Sequence, residues 1–167
     1  MFELKRLSPS AVPSALAKAE RYRLLSEPEQ AQSICEDILR TEPGNRAAIV
    51  MLILALTDQL PRHDSAPVSR MLELAAQLPS EYERRYYQGL IAERRGRALL
   101  LRSSPGRTRP AGDLLRLAMD AFERAEQIKP PDNDDALLRW NAIARLLDAR
   151  PELAAVDDDE LTPVMLE

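Results

Sequence analysis

One short motif in the C-terminal half of the chain constrains its fold more than any other feature. Ala118, Phe122 and Ala125 share one face of a helical segment, and Pro130 follows the end of that segment. A large residue between two small ones forms a notched surface against which a neighbouring helix packs closely. A proline beyond the helix prevents its continuation. The motif therefore predicts the second helix of a hairpin in a stack of helical hairpins.

A looser copy of this motif comes earlier in the chain. Ala31, Cys35 and Ile38 precede Pro43, and Pro79 follows Pro43 by 36 residues. That interval is close to the period of helix-turn-helix repeats. Alanine, leucine, arginine and glutamate are abundant and the chain has five glycines, a composition that favours helix. We therefore expect an all-α fold built from repeated hairpins.

Apolar residues recur at helical spacing in seven segments. Residues typical of helix ends separate them, with Ser26 predicted to cap the second helix and Ser80 the fifth. Ser10 or Ser14 is predicted to cap the first, and acidic residues 132–135 the seventh. The predicted helices end near Leu25 and Thr41 and then cover about 46–60, 66–78, 81–102, 112–128 and 136–149, with a loop over 103–110.

The composition indicates one globular domain. The chain has 167 residues, of which 45% are hydrophobic and 30% charged, enough to bury a single core. We expect residues 1–10 to be a lead-in, 11–150 a helical repeat domain and 151–167 an acidic tail. The single cysteine excludes an internal disulfide. No apolar run resembles a signal peptide or a membrane span, so we expect a cytoplasmic protein with no membrane contact.

Over most of residues 12–149 the chain resembles the tetratricopeptide repeat family, with degenerate repeats. The family's unit is a helical hairpin with a small residue in its first helix and an Ala, aromatic, Ala, Pro series in its second. The matches are Ala19, Tyr22, Ala31 and Pro43 in the first unit, and Gly89, Ala118, Phe122, Ala125 and Pro130 in the third. The resemblance implies a right-handed superhelix of about three antiparallel hairpins plus a C-terminal capping helix.

The sequence departs from the family pattern in three places. Ile53 occupies the small position of the second unit. In the third unit, 17 additional residues separate Gly96, where the turn normally begins, from Ala118. Trp140 stands where a small residue is expected, and it could cover the open end of a terminal helix. An unrelated helical bundle is the alternative fold.

In this family the first helix of each unit lines a concave groove that binds peptides. Leu16 and Glu20 replace the lysine and asparagine of members that bind chaperone C-termini, so that carboxylate clamp is absent. The remaining apolar and charged positions would suit an extended or helical peptide. The family register places in the groove Leu16, Glu20, Arg23, Val50, Leu54, Asp58, Tyr86, Leu90, Glu93, Arg94, Asn141 and Arg145.

Residues 82–116 contain nine arginines and three acidic residues, whereas the whole chain has a net charge of −4. Arg95, Arg97, Arg107 and Arg109 form a predicted basic patch, the last two within the insertion. Arginine interleaved with tyrosine suits an acidic peptide, a phosphate or RNA. The alternatives are a solvated face neutralised by acidic regions of the same chain, or contact with a neighbouring copy's acidic tail.

The sequence contains no catalytic constellation. His63 is the only histidine, and its neighbours Asp64 and Ser65 are too close in the chain to form a triad geometry with it. Cys35 falls at a position that the repeat pattern buries, which indicates an inert thiol. Residues 132–135 lack the glycine and the final glutamate of a calcium loop. We therefore expect no enzymatic activity, no metal and no cofactor.

The sequence is best interpreted as a non-enzymatic adaptor that binds a protein segment in a helical groove. One alternative is a nucleic-acid-associated protein that uses the arginine-rich segment 84–116, although the negative net charge makes nucleic acid the weaker expectation. Another is a small secretion-type chaperone. A homo-oligomer is compatible with each of these functions.

Overall fold

The fold is helical throughout the part of the chain that the computed structural model describes, which is residues 2–62, 67–102 and 106–154. No strand occurs among these residues, so the predicted all-α class is confirmed for them. A 3-10 turn at Pro9–Ala11 precedes the first helix. The helices are α1 (Val12–Leu24), α2 (Pro28–Thr41), α3 (Arg46–Gln59), α4 (Val68–Ala76), α5 (Glu81–Leu101), α6 (Thr108–Glu126), α7 (Asp135–Ala149) and α8 (Pro151–Ala154).

Helix α6 begins earlier than the sequence predicts. Thr108, Arg109 and Pro110 belong to its first turn, so the predicted loop is wrong at its C-terminal end. A proline in a first helical turn removes an N–H group that has no partner within the helix, so Pro110 does not interrupt α6. Residues 103–105 lie outside the described residues.

Two helix starts are fixed by side-chain caps. Asn45 Oδ1 accepts a hydrogen bond from the Ala48 N–H group at 3.0 Å at the start of α3. Ser80 and Glu83 form a capping box at the start of α5, as Ser80 Oγ accepts from the Glu83 N–H group at 3.1 Å and donates to Glu83 Oε2 at 3.0 Å. The predicted cap at Ser80 is therefore confirmed.

Two other predicted caps are wrong. Ser26 adopts a left-handed conformation with φ of 62° and ends α1 rather than capping α2. Its N–H group donates to the Arg23 carbonyl oxygen, and the next N–H group donates to that of Tyr22. These two bonds are the Schellman arrangement that closes a helix C-terminus. At α1 Ser14 Oγ donates to the Ala11 carbonyl oxygen. At α7 the cap position is Asp134, inside the predicted range 132–135, and Asn133 Oδ1 accepts from the Asp135 N–H group at 3.0 Å.

Successive helices pack against each other along the chain, from α1 on α2 through to α6 on α7. Helix α3 also contacts both α1 and α5, two helices away in either direction. Phe122 is fully buried, and a Cβ atom placed on Gly89 would lie 2.9 Å from its ring. Gly89 is therefore required for the close approach of α5 to α6 that the motif predicts.

The 17 additional residues lengthen a hairpin. Gly96 is buried inside α5, where a Cβ atom would lie 3.1 Å from the Ala111 carbonyl oxygen and from Leu115. Helix α5 continues past Gly96 to Leu101, as the predicted helix over about 81–102 requires, whereas the family pattern would begin a turn at this position. Helices α5 and α6 reach 21 and 19 residues and pack along their shared length.

Helix α8 fixes the start of the predicted acidic tail against α6. Leu153 is 1% exposed, and its carbonyl oxygen accepts from Arg116 Nη1 at 2.9 Å. Gly112 leaves room for this contact, since a Cβ atom there would collide with the same carbonyl oxygen. The acidic residues Asp157 to Glu160 lie outside the described residues.

Candidate functional site

Three of the predicted groove residues meet in an ion cluster. Asp58 on α3 accepts a hydrogen bond from Arg23 Nε on α1 at 2.6 Å, and its other carboxylate oxygen accepts from Arg94 on α5. Arg94 Nη1 also donates to Thr57 Oγ1 at 2.8 Å. The cluster therefore joins three helices, α1, α3 and α5, through side chains that are far apart in the sequence.

A second ion cluster centres on Glu93, whose side chain is 5% exposed. Its oxygens accept from Arg97 Nε at 2.8 Å and from Arg139 Nη1 of α7 at 3.0 Å. Arg139 Nε donates to the Tyr86 hydroxyl at 2.8 Å, and its guanidinium lies 5.8 Å from that ring centre. The two clusters together form the arginine–carboxylate network, defined as Arg23, Asp58, Glu93, Arg94, Arg97 and Arg139.

The charged groups of the network pair with one another. Burial lowers the pKa of Arg94, and Asp58 opposes that effect. Burial also disfavours the charge of Arg139, but its hydrogen bond to Tyr86 and the nearby Glu93 raise its pKa overall. Because both carboxylates are bound by two guanidinium groups each, the network holds helices together and offers little to a ligand.

The other predicted groove residues do not form one open surface. Leu90 is 1% exposed, so its assignment to the groove is wrong: it faces the core because α5 is covered on that side. Leu16 and Leu54 are half-buried against core residues, as is Val50. Glu20 and Arg145 are exposed. Half-buried residues at the far end, Asn141 and Trp140, line a shallow cavity of about 250 Å³ with Glu123, Glu126 and Leu137.

A different surface has the features of a binding site. A cleft of about 260 Å³ lies between α4, α5 and α6, with the buried side chains of Ile91 and Ala92 at its base. Leu72 is 42% exposed and Leu117 is 56% exposed at its sides. Large leucines on facing helices beside one cleft form an apolar patch of the kind that marks interaction sites. This surface is called the α4–α6 cleft, and its defining residues are Leu72, Arg85, Arg95, Leu117, Asp120 and Arg124.

Two arginines of the cleft have no charged partner. Arg95 on α5 and Arg124 on α6 make no hydrogen bond or ion pair with any other described residue. Arg85 pairs with Glu81 at 3.2 Å, at the edge of the cleft. Asp120, the one carboxylate that lines the cleft, also has no ion pair within the described ranges. The cleft thus presents an excess of positive charge beside exposed apolar groups.

The predicted basic patch is divided between different environments. Arg95 lies in the α4–α6 cleft, whereas Arg97 belongs to the arginine–carboxylate network. Arg107 lies in the connection immediately before α6, whereas Arg109 lies in the first turn of α6, so the predicted loop position is wrong for Arg109 alone. Neither arginine is without a partner. Arg84 donates to the Leu78 and Pro79 carbonyl oxygens at 2.7 and 2.9 Å. The segment therefore does not form one continuous basic surface.

Sequence reasoning missed Leu72, Leu117 and Arg124. On α6, Leu117, Ala121 and Arg124 follow each other at intervals of four and three residues, on a different face from Ala118 and Phe122. This second stripe was the available signal. Its exposure depends on the spacing of α4 and α6, which the sequence pattern alone does not give.

No chemical site competes with the cleft among the described residues. Cys35 is fully buried, as predicted, and burial raises the pKa of its thiol to about 12. No three acidic, cysteine or histidine side chains in the described part are grouped as metal ligands. None of the described helices has the length and apolar character needed to cross a membrane. His63, Asp64 and Ser65 lie outside the described residues.

Comparisons with protein-family models, with curated proteins and with solved structures found no match to this chain.

Proposed function

We propose that this protein is a non-enzymatic interaction scaffold that binds a segment of another protein in the α4–α6 cleft. The observation that carries the proposal is the pair Arg95 and Arg124, which have no partner within the described ranges, beside the exposed Leu72 and Leu117. A partner that covers the leucines removes apolar surface from water, and its polar groups can pair with the arginines. The proposed binding surface therefore differs from the groove predicted from the sequence.

We further propose a tetratricopeptide-like superhelix of hairpins, right-handed as in that family. Two observations support it: each helix packs on its neighbour along the chain, and α3 contacts both α1 and α5. The contact between Gly89 and Phe122 also occurs at the pair of positions that the family pattern uses. In such a stack the arginine–carboxylate network joins the first helices of successive hairpins.

The arginine-rich segment gives less support to nucleic-acid binding. Several of its arginines donate hydrogen bonds to carboxylate or carbonyl oxygens of the same chain. Examples are Arg84, Arg94 and Arg97. Nucleic-acid binding depends on several cations that contact successive phosphates. The cleft instead combines arginines with leucines and one aspartate, and this mixture favours a protein ligand.

Site-specific photocrosslinking in cells tests the proposal. A photoreactive amino acid replaces Leu72 or Leu117 in the cleft, and Leu138 on α7 as a control, because Leu138 is 62% exposed outside the cleft. We expect one discrete adduct from both cleft positions and none from the control, with the partner identified by mass spectrometry. Equal labelling from all three positions, or none from the cleft, would contradict a binding function of this surface.

A further inference from the structure

We infer that the α4–α6 cleft takes an acidic amphipathic segment of a partner protein, with apolar side chains at its centre and a carboxylate near each end. This inference rests on the proposed function and specifies the chemistry of the ligand. The charge of the cleft is the first reason. Three guanidinium groups line it against the single carboxylate of Asp120, and two of the three have no partner in the part of the chain that the structure describes.

The positions of these charges along the cleft are the second reason. Arg85 and Arg95 are ten residues apart on α5, which corresponds to about 15 Å along a helix axis. Gly89 contacts Phe122 and Gly96 contacts Leu115, so α5 and α6 run antiparallel. This direction brings Arg124 to the Arg85 end of the cleft and Leu117 to the Arg95 end. The cleft therefore has a cation at each end.

The apolar groups between these ends supply the third reason. Ile91 and Ala92 form the base, and Leu72 and Leu117 stand on either side. A ligand segment would place apolar side chains on this base and carboxylates about 15 Å apart. That separation corresponds to about ten residues in a helix or four to five in an extended strand. Both are common forms of peptide recognition in grooves.

Arginine suits carboxylates because its planar guanidinium donates two parallel hydrogen bonds to them. A basic segment would face repulsion from three arginines, and a neutral apolar segment would leave Arg95 half-buried without a partner. Acidic amphipathic character is the only one of these three ligand chemistries that satisfies both the leucines and the arginines of the cleft.

Binding of fluorescein-labelled synthetic peptides to the full chain tests the inference. The acidic peptide has a leucine-rich centre flanked by glutamates, and two matched peptides carry glutamine or lysine in place of each glutamate. By fluorescence anisotropy we expect the acidic peptide to bind at least about tenfold more tightly than the glutamine peptide, because only its carboxylates pair with the arginines. A tenfold difference in affinity corresponds to about 1.4 kcal/mol of binding free energy. We expect no binding of the lysine peptide.

Charge reversal in the cleft sharpens the test. The double variant Arg95→Glu/Arg124→Glu is expected to lose the acidic peptide and to bind the lysine peptide. The control variant Lys18→Glu/Arg21→Glu changes the net charge equally at exposed positions of α1, so it should bind like the unaltered chain. Equal affinity for all three peptides, or equal losses in both double variants, would overturn the inference.

Two other occupants give distinct results. If residues 155–167 of this chain fill the cleft, replacing Asp157 to Glu160 by their amides would tighten acidic-peptide binding about tenfold, and assignment to a partner would be overturned. If a second copy fills it, sedimentation would show a dimer that the cleft reversal dissociates, with the same consequence. Crosslinks from Leu72 that persist in the reversal variant would preserve the proposed function while rejecting the acidic ligand.

Discussion

Arg94 and Arg95 are adjacent residues of the same type on the same helix, yet they belong to different regions of the molecule. Arg94 is directed into the arginine–carboxylate network, where it binds Asp58 and Thr57. Arg95 is directed into the α4–α6 cleft and has no partner among the described residues. Successive residues of a helix point about 100° apart, so one helix serves both surfaces.

This difference shows why the number of arginines in a segment is a poor indicator of function. In the network, each carboxylate contacts two guanidinium groups, and the charges stabilise contacts between helices. In the cleft, the charges have no such role and stand beside exposed leucines. The region whose charges remain available is the one that we assign to ligand binding.

The pair Arg94→Ala and Arg95→Ala gives the largest effect and tests the comparison directly. Arg94→Ala removes the charged hydrogen bonds to Asp58 and Thr57, and we expect a loss of about 2 kcal/mol in the free energy of unfolding. Arg95→Ala is expected to change this free energy by less than about 0.5 kcal/mol, because it removes no hydrogen bond or ion pair between described residues. Urea denaturation measures both values.

Peptide binding should show the reverse order for these two variants. Arg95→Ala should weaken binding of the acidic peptide several-fold, whereas folded Arg94→Ala should retain it. If both variants lose stability equally, the distinction between a structural and an available arginine is invalid.

Glu83 and Asp120 provide the corresponding comparison of carboxylates. Burial alone would raise the pKa of Glu83, but hydrogen bonds from Arg46 and Ser80 outweigh it and hold the pKa below its ordinary value of 4.5. The folded state therefore resists protonation of Glu83, and the stability from this group is present above about pH 4.5 and is lost as the pH falls through the folded pKa.

We expect Glu83→Gln to lower the free energy of unfolding by about 1 kcal/mol at neutral pH through loss of the Arg46 pair and weakening of the capping box. The variant and the unaltered chain should converge in acid, where Glu83 is protonated. Asp120→Asn, which removes a carboxylate that has no ion pair among the described residues, should change the free energy of unfolding at neutral pH by less than about 0.5 kcal/mol. Urea titrations across the pH range measure these differences, and a constant gap for Glu83→Gln would contradict the assigned role.

Local chemistry made much of the helical fold predictable. The apolar period and the prolines located seven helices, and Arg23, Asp58 and Arg94, which were assigned to one groove, meet in one cluster. Short-range information sufficed here because helix ends and faces are set by residues within a few turns.

The failures concern packing between helices. The family pattern begins a turn at Gly96, but this glycine lies inside α5, where its close contact with α6 is what requires it. Leu90 was assigned to the groove although α5 is covered there. The cleft combines α4 with α6, which contribute residues 45 positions apart, Leu72 and Leu117. No local pattern predicts the separation of two such helices.

A substitution at the end of α1 sharpens the comparison from the network side. Ser26 has a left-handed backbone, which glycine adopts without the strain caused by a Cβ atom. It lines a polar depression with Arg23 and Asp58. We expect Ser26→Gly to raise the free energy of unfolding by about 0.5 kcal/mol, the relief of strain being partly offset by the entropy of an unfolded glycine. Acidic-peptide affinity should not change, and a change would show that the two surfaces are coupled.

The smallest effect on stability is expected in the cleft itself. Leu117 is 56% exposed and Leu138, outside the cleft, is 62% exposed, so glutamine at either position should alter the free energy of unfolding by less than about 0.5 kcal/mol. Only Leu117→Gln should weaken binding of the acidic peptide, because only Leu117 lies beside Arg95. Thermal unfolding and fluorescence anisotropy on the two variants separate these effects. A Leu117→Gln variant that unfolds more easily but binds the acidic peptide normally would show that Leu117 has a structural role. It would contradict the assignment of Leu117 to the binding site.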